Sequence, residues 1–184
     1  MNTKKLFQSR LDILPPEVQN AINSNQITLV DNVLYFTKAL NNNNTAELVQ
    51  DSDTKVAGIT NVNGGKLEAG NYMLLSGIRL RTATVAANAS LADLAAADFT
   101  NKLHHQVANG ELEITAAGKP LLPRISNGRF ATGNDAKWNN YFALDCPKLI
   151  VPQASLRANL YMLASTGGTV AARLELHGVM TVRA

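Results

Sequence analysis

The clearest hydrophobic pattern lies near the C-terminus, where two period-2 runs flank Ser165-Thr166-Gly167-Gly168-Thr169. In the first, Leu156, Ala158, Leu160, Met162 and Ala164 share a face, with Arg157, Asn159 and Tyr161 opposite. In the second, Val170, Ala172, Leu174, Leu176, Met180 and Val182 alternate with Arg173, Glu175, His177, Thr181 and Arg183. Such alternation predicts half-buried antiparallel strands, and the Gly-Gly centre supplies the positive φ angles of a hairpin turn. The register predicts Leu174 and Leu176 inside, with Arg173, Glu175 and His177 facing solvent or a neighbouring subunit. On that reading Leu174→Ala costs stability and Glu175→Ala costs little.

The same reading extends upstream. Pro15-Pro16-Glu17 suits a helix start, since proline lacks only an N–H that would be orphaned there. Val18, Ala21 and Ile22 share its face, and Asn23-Ser24-Asn25 ends it. Residues 1–24 thus read as an arm plus a short helix, and 25–184 as one β domain. Ile27 to Leu40 reads as strand with a break at Asp31-Asn32, followed by short strands at Ala46 to Gln50 and Lys55 to Thr60. Tyr72 to Val85 is a long strand with Tyr72, Leu74, Ile78 and Leu80 on one side and Arg79 and Arg81 on the other; Gly77 inside it marks a bulge or bend.

Ser90 to Gly110 changes period. Ser90 caps with Asp93, Leu91, Leu94, Phe99, Leu103 and Val107 recur at near-helical spacing, and Gly110 is a C-terminal stop. Asp98 is a point where the helix restarts, splitting it in two. Glu111 to Ala116 alternates as a strand, Gly118-Lys119-Pro120 and Pro123 to Asp135 read as loop with one short strand, and Trp138 to Val151 returns to β. Pro147 and Pro152 belong at strand ends or edges. Strands outnumber helices, and no regular strand–helix alternation implies a parallel sheet. The fold class is mainly β: an antiparallel sandwich with one inserted helical segment.

A chain of 184 residues can bury a full core without disulfides or metal. Charged residues make up 17% of the chain against a usual ~25%, so its polarity rests on amides and hydroxyls such as Asn41 to Asn44 and Asn61-Val62-Asn63-Gly64-Gly65. The net charge of +3 is dispersed, except for Lys4, Lys5 and Arg10 at the start and Arg79 with Arg81 on a strand. A dedicated nucleic-acid domain concentrates its cations on one face; here only weak, non-specific contact is implied, with Lys4, Lys5 and Arg10 as the candidate residues. Cys146 is alone, among Ala143, Leu144 and Leu149, and reads as a buried inert thiol. The first residues are too polar for a signal peptide and no apolar run approaches ~20 residues, so a cytoplasmic setting is expected.

Catalytic and ligand motifs do not complete. Gly64-Gly65-Lys66 resembles part of a phosphate loop, but Thr60 stands where the first glycine belongs and Leu67 where a Ser or Thr should hold magnesium. His104 and His105 are adjacent and diverge on a helix, so they cannot clamp one metal; with His177 they read as surface or interface side chains. Asp51-Ser52-Asp53 lacks the glycine and terminal glutamate of a calcium loop. Glu111 and Glu113 share a strand face without the aromatic platform of a sugar site. No Gly-x-Ser-x-Gly elbow or Cys–His constellation occurs. The expectation is a protein that is not an enzyme, with no cofactor, no metal and no catalytic residue.

The polar arm and short helix, the β-rich body with one inserted helix, and the ending from Leu149-Ile150-Val151-Pro152 through Leu156–Ala164 and Val170–Arg183 together resemble jelly-roll capsid (coat) proteins of icosahedral bacteriophages. That resemblance implies a single jelly roll of eight strands, in which the last two runs form a closing hairpin-like pair. It also implies a subunit that self-assembles around a genome in a virion, built in the host cytoplasm, with copies of itself (trimer, pentamer or larger shell) and other virion proteins as partners. The alternative class is a phage fibre, spike or decoration protein, or a non-catalytic sugar-binding β-sandwich. A cupin-like enzyme on the same fold would need a His/Glu metal cluster that the sequence does not show.

Overall fold

The computed structural model describes residues 13–40, 43–100, 103–131 and 140–183. Among the described residues eight strands form two four-stranded antiparallel sheets packed face to face: β1 (Ile27–Leu40), β8 (Val170–Arg183), β3 (Met73–Thr84) and β6 (Tyr141–Ile150) in one, and β2 (Thr45–Val49), β7 (Leu156–Tyr161), β4 (Glu111–Ala116) and β5 (Lys119–Ser126) in the other. The chain is a β-sandwich. First pairs with last and second with second-last, inward to the β4–β5 hairpin, as in a long ribbon folded over itself.

The core lies between the sheets. Phe36, Leu80, Leu174 and Leu176 from one sheet meet Leu48, Leu112, Ile114 and Leu160 from the other, all fully or almost fully buried. In β8 the even positions from Val170 to Leu176 point into this core while Ala171, Arg173, Glu175, His177 and Val179 point outward, as period 2 requires.

The closing runs do not pair with one another. β7 lies between β2 and β4, and β8 lies between β1 and β3. The loop around Gly167 and Gly168 (φ 70° and 72°) has the expected left-handed backbone, but it carries the chain from one sheet to the other. Alternation fixes which face of a strand is buried, and both sheets bury the same kind of face. A hairpin and a crossing therefore look alike in sequence.

β3 carries the bulge expected near Gly77, and the bulge has a consequence that simple alternation misses. Its pairing with β8 jumps from Leu75↔Gly178 to Gly77↔His177, leaving Ser76 extra. Leu74 and Ile78 consequently lie on opposite faces. Ile78 enters the central core, whereas Leu74 joins Leu14, Val18, Leu29 and Val179 under helix α1 (Pro16–Asn23). Gly178 makes this crossing possible: a Cβ there would sit 2.2 Å from the carbonyl oxygen of Leu74. Since the obstacle is backbone, Gly178→Ala should force the two central strands apart and cost roughly 1–3 kcal/mol, measurable in urea melts; an unchanged midpoint would show that the strands part freely.

Other elements depart from the sequence reading. β1 runs unbroken through Asp31-Asn32, held by fourteen consecutive pairs with β8. Lys55 to Thr60 is not a strand of either sheet, but with Asn61 it covers part of the open edge of β1. Asn61 accepts from the Tyr35 N–H at 3.0 Å and donates to the Val33 carbonyl at 2.8 Å, and the Thr37 N–H donates to Ile59. A side-chain amide thus stands in for a neighbouring strand. Lys119–Ser126, expected to be mostly loop, is a full strand at the sheet edge, a position that tolerates Pro120 and Pro123, and its pairing with β4 shifts register twice. The part of the loop expectation beyond Ala131, and Trp138, lie outside the described residues.

The 90–110 segment forms two short helices, α2 (Leu91–Ala96) and α3 (His105–Ala108). α2 starts on the expected Ser90–Asp93 capping box. Asp98 does not restart it; its carboxylate instead accepts from the Thr100 N–H and hydroxyl. Gly110 meets a need for space, not for a left-handed backbone: a Cβ there would lie 2.2 Å from the Tyr161 carbonyl oxygen. Cys146 is exposed, contrary to expectation. It sits on edge strand β6, where pairing with β3 jumps from Lys148 to Ala143, so its apolar neighbours in sequence do not enclose it. No described helix is long and apolar enough to cross a membrane.

Candidate functional site

The outward face of the β1-β8-β3-β6 sheet concentrates the chain's most unusual chemistry. It is closed by apolar packing at both ends. At one end α1 covers Leu29, Leu74 and Val179; at the other, Leu94 of α2 and Phe99 cover Ile59, Ala83 and Ala171. Between them lies a half-buried charged patch centred on Glu175, which is only 8% exposed.

Register builds this patch. On β3, Arg79 stands directly opposite Glu175 and Arg81 directly opposite Arg173; on β1, Tyr35 stands opposite Glu175. The two carboxylate oxygens are shared among four cationic or protonatable groups. Arg173 Nε donates to Oε1 at 3.2 Å, with Arg81 Nε at 3.9 Å from the same oxygen. His177 Nε2 lies 3.2 Å from Oε2 and Arg79 Nη1 3.6 Å from it. Aromatic rings floor the cluster. The Arg173 guanidinium lies 4.4 Å from the Tyr35 ring centre and 5.9 Å from that of Phe99, and Tyr141 meets His177 edge-on at 5.3 Å.

The electrostatics follow from this crowding. Burial pushes the Glu175 carboxyl upward, but the His177 hydrogen bond and the charges of Arg81 and Arg173 together hold it below the ordinary glutamate value. Burial, then repulsion from Arg81, lowers Arg79. Burial likewise raises the Tyr141 phenol. Glu175 is therefore no solvent-facing side chain. The sequence assigns it correctly to the outward face, but at this point that face is covered by Arg173 and His177 of β8 itself and by Arg79, Arg81, Tyr35 and Tyr141 from neighbouring strands.

The remaining sequence candidates fall elsewhere. Lys4, Lys5 and Arg10 lie outside the described residues. Gly64 and Gly65 adopt left-handed backbone (φ 55° and 58°) in a packed turn: the Leu156 N–H donates to the Gly65 carbonyl, and a Cβ on Gly65 would meet Val49 Cγ1 at 2.8 Å. Asp51 accepts from Ser155 and Arg157, and Asp53 pairs with Lys38. His104 and His105 lie 4.4 Å apart between ring centres, and burial, then His105, lowers the His104 imidazole. On the outward face of the other sheet, Tyr161 donates to Glu113 at 2.9 Å and Arg124 pairs with Glu111 while lying over the Tyr161 ring. Among the described residues no three His, Cys, Asp or Glu side chains converge as metal ligands would.

Tyr35, Phe99 and Tyr141 also join the patch, and the sequence reading singled out none of them for it. For Tyr35 the signal existed in its period-2 offset from Leu34 and Phe36; for Phe99 and Tyr141 the bulge and the loop path decide.

No protein family matches the chain, and no curated protein does. Among solved structures it is similar to a chain from the acidic stable capsid structure of Helicobacter pylori bacteriophage KHP30. That similarity has a TM-score of 0.37 at 10% identity and covers 86% of this chain and 99% of that one.

Proposed function

We propose that this chain is a structural subunit, a bacteriophage coat protein that packs with copies of itself into a closed shell. The observation that carries this reading is the strand order, β1-β8-β3-β6 facing β2-β7-β4-β5. It is the order expected when a ribbon of paired strands is rolled into an eight-stranded jelly roll, an architecture used by capsid and lectin domains. Low charge supports it as well, because packing like surfaces together is then less opposed by desolvation. On this reading the protein resides in the virion, assembles in the host cytoplasm, and meets other virion proteins at its edges.

Size-exclusion chromatography with negative-stain imaging of the purified chain tests the proposal. Closed particles, or pentamers and trimers that grow into them, are expected. A strictly monomeric species at high concentration across salt conditions would overturn it, and a discrete trimer that never closes would point to a fibre or spike.

A further inference from the structure

We propose that Arg81 and Arg173 form a binding site for a phosphate group on the outward face of the β1-β8-β3-β6 sheet. Two arginines directly opposite each other across neighbouring strands repel, an arrangement that sheets normally avoid. Their side chains are only 27% and 23% exposed, so water screens the repulsion incompletely.

Their hydrogen bonding is also incomplete. Among the described residues the Arg81 side chain donates no hydrogen bond; its Nε approaches Glu175 only to 3.9 Å. Arg173 spends its Nε on Glu175 and donates through Nη1 to the Gly58 carbonyl at 3.4 Å, leaving Nη2 without a described acceptor. The unused donors of both guanidinium groups therefore face the cleft, where an incoming acceptor can reach them.

These two side chains line one wall of an open cleft of about 340 Å³, with Asp98, Phe99, Thr100 and Glu175. The negative groups facing it are already engaged: Asp98 by Thr100, and Glu175 by Arg173 and His177. Among the groups lining the cleft, Arg81 and Arg173 stand against Glu175 and Asp98, and Glu175 is also shared with Arg79 at 3.6 Å and His177 at 3.2 Å, which draw its charge away from the cleft. A tetrahedral oxyanion supplies several acceptors at once and suits guanidinium forks. Phe99 and Tyr35 already lie against the Arg173 guanidinium, so the site recognises the phosphate group itself and offers no free ring for a base.

Calorimetric titration of the full chain with inorganic phosphate, against chloride at equal ionic strength, tests this. Wild type and Arg157→Met, an exposed arginine on the other sheet, should bind phosphate alike. Arg81→Met should bind at least tenfold more weakly, and Arg81→Lys should fall between. Arg81→Met relieves a like-charge contact, so it should stay folded, which its thermal melt checks. A short single-stranded oligonucleotide then separates the sources: competition with phosphate in wild type supports a phosphodiester ligand, and binding of phosphate without competition supports a free phosphate group. Phosphate binding no tighter than chloride, or undiminished in Arg81→Met, would overturn the proposal.

Discussion

Glu175→Ala should destabilise the fold by about 3–5 kcal/mol, the usual cost of removing one partner from a buried ion pair. The carboxylate is nearly inaccessible, and its loss removes the one group that Arg79, Arg81 and Arg173 share in a half-buried patch. Urea melts measure this directly; a loss below about 1 kcal/mol would mean that water reaches the arginines freely. Adding Arg173→Met to Glu175→Ala should recover part of the loss, since the two residues share one network and their effects are coupled.

The same residue predicts a pH response. Its folded pKa is held below the ordinary 4.5, so its contribution is fully present above that value and is lost as pH falls through the lower, folded one. Asp51, Asp93 and Asp98, also lowered by their hydrogen bonds, contribute in the same direction. Stability should therefore decline on acidification below about pH 5, and Glu175→Gln should make that decline shallower. Equal slopes for the two proteins would remove Glu175 from the account.

Leu174→Ala should cost about 2–5 kcal/mol. Leu174 is fully buried and lies between Phe36 of β1 and Leu80 of β3, in an apolar row across three adjacent strands. Strands pinned on both sides cannot close in on the space left behind, so a cavity remains. Thermal melts of this variant should show a clear drop in midpoint, and an unchanged one would mean that β8 presents its other face to the core. Both variants thus lose stability by different routes: Leu174→Ala by lost packing, Glu175→Ala by unpaired charge.

The period-2 pattern by itself determined that the chain is a β-sandwich, that Leu174 and Leu176 point inward, and that Arg173, Glu175 and His177 point outward. Those are local consequences of backbone geometry, which alternates side chains whatever the partner strand. Local chemistry likewise determined the Ser90–Asp93 cap and the left-handed backbone at Gly167 and Gly168. Partnership was not local. Whether β7 pairs with β8, or crosses to the other sheet, depends on contacts far apart in sequence that leave the alternation unchanged. The bulge at Ser76 shows the same limit from within a strand, because one unpaired residue sends Leu74 and Ile78 to opposite faces while the sequence shows an ordinary apolar run. The patch around Glu175 is likewise decided in part by tertiary structure: Arg173 and His177 sit two residues away on β8, but Arg79 and Arg81 come from β3 and the aromatic neighbours from β1, β6 and the loop after α2. Burial of an outward-facing carboxylate is set by what other strands lay over it.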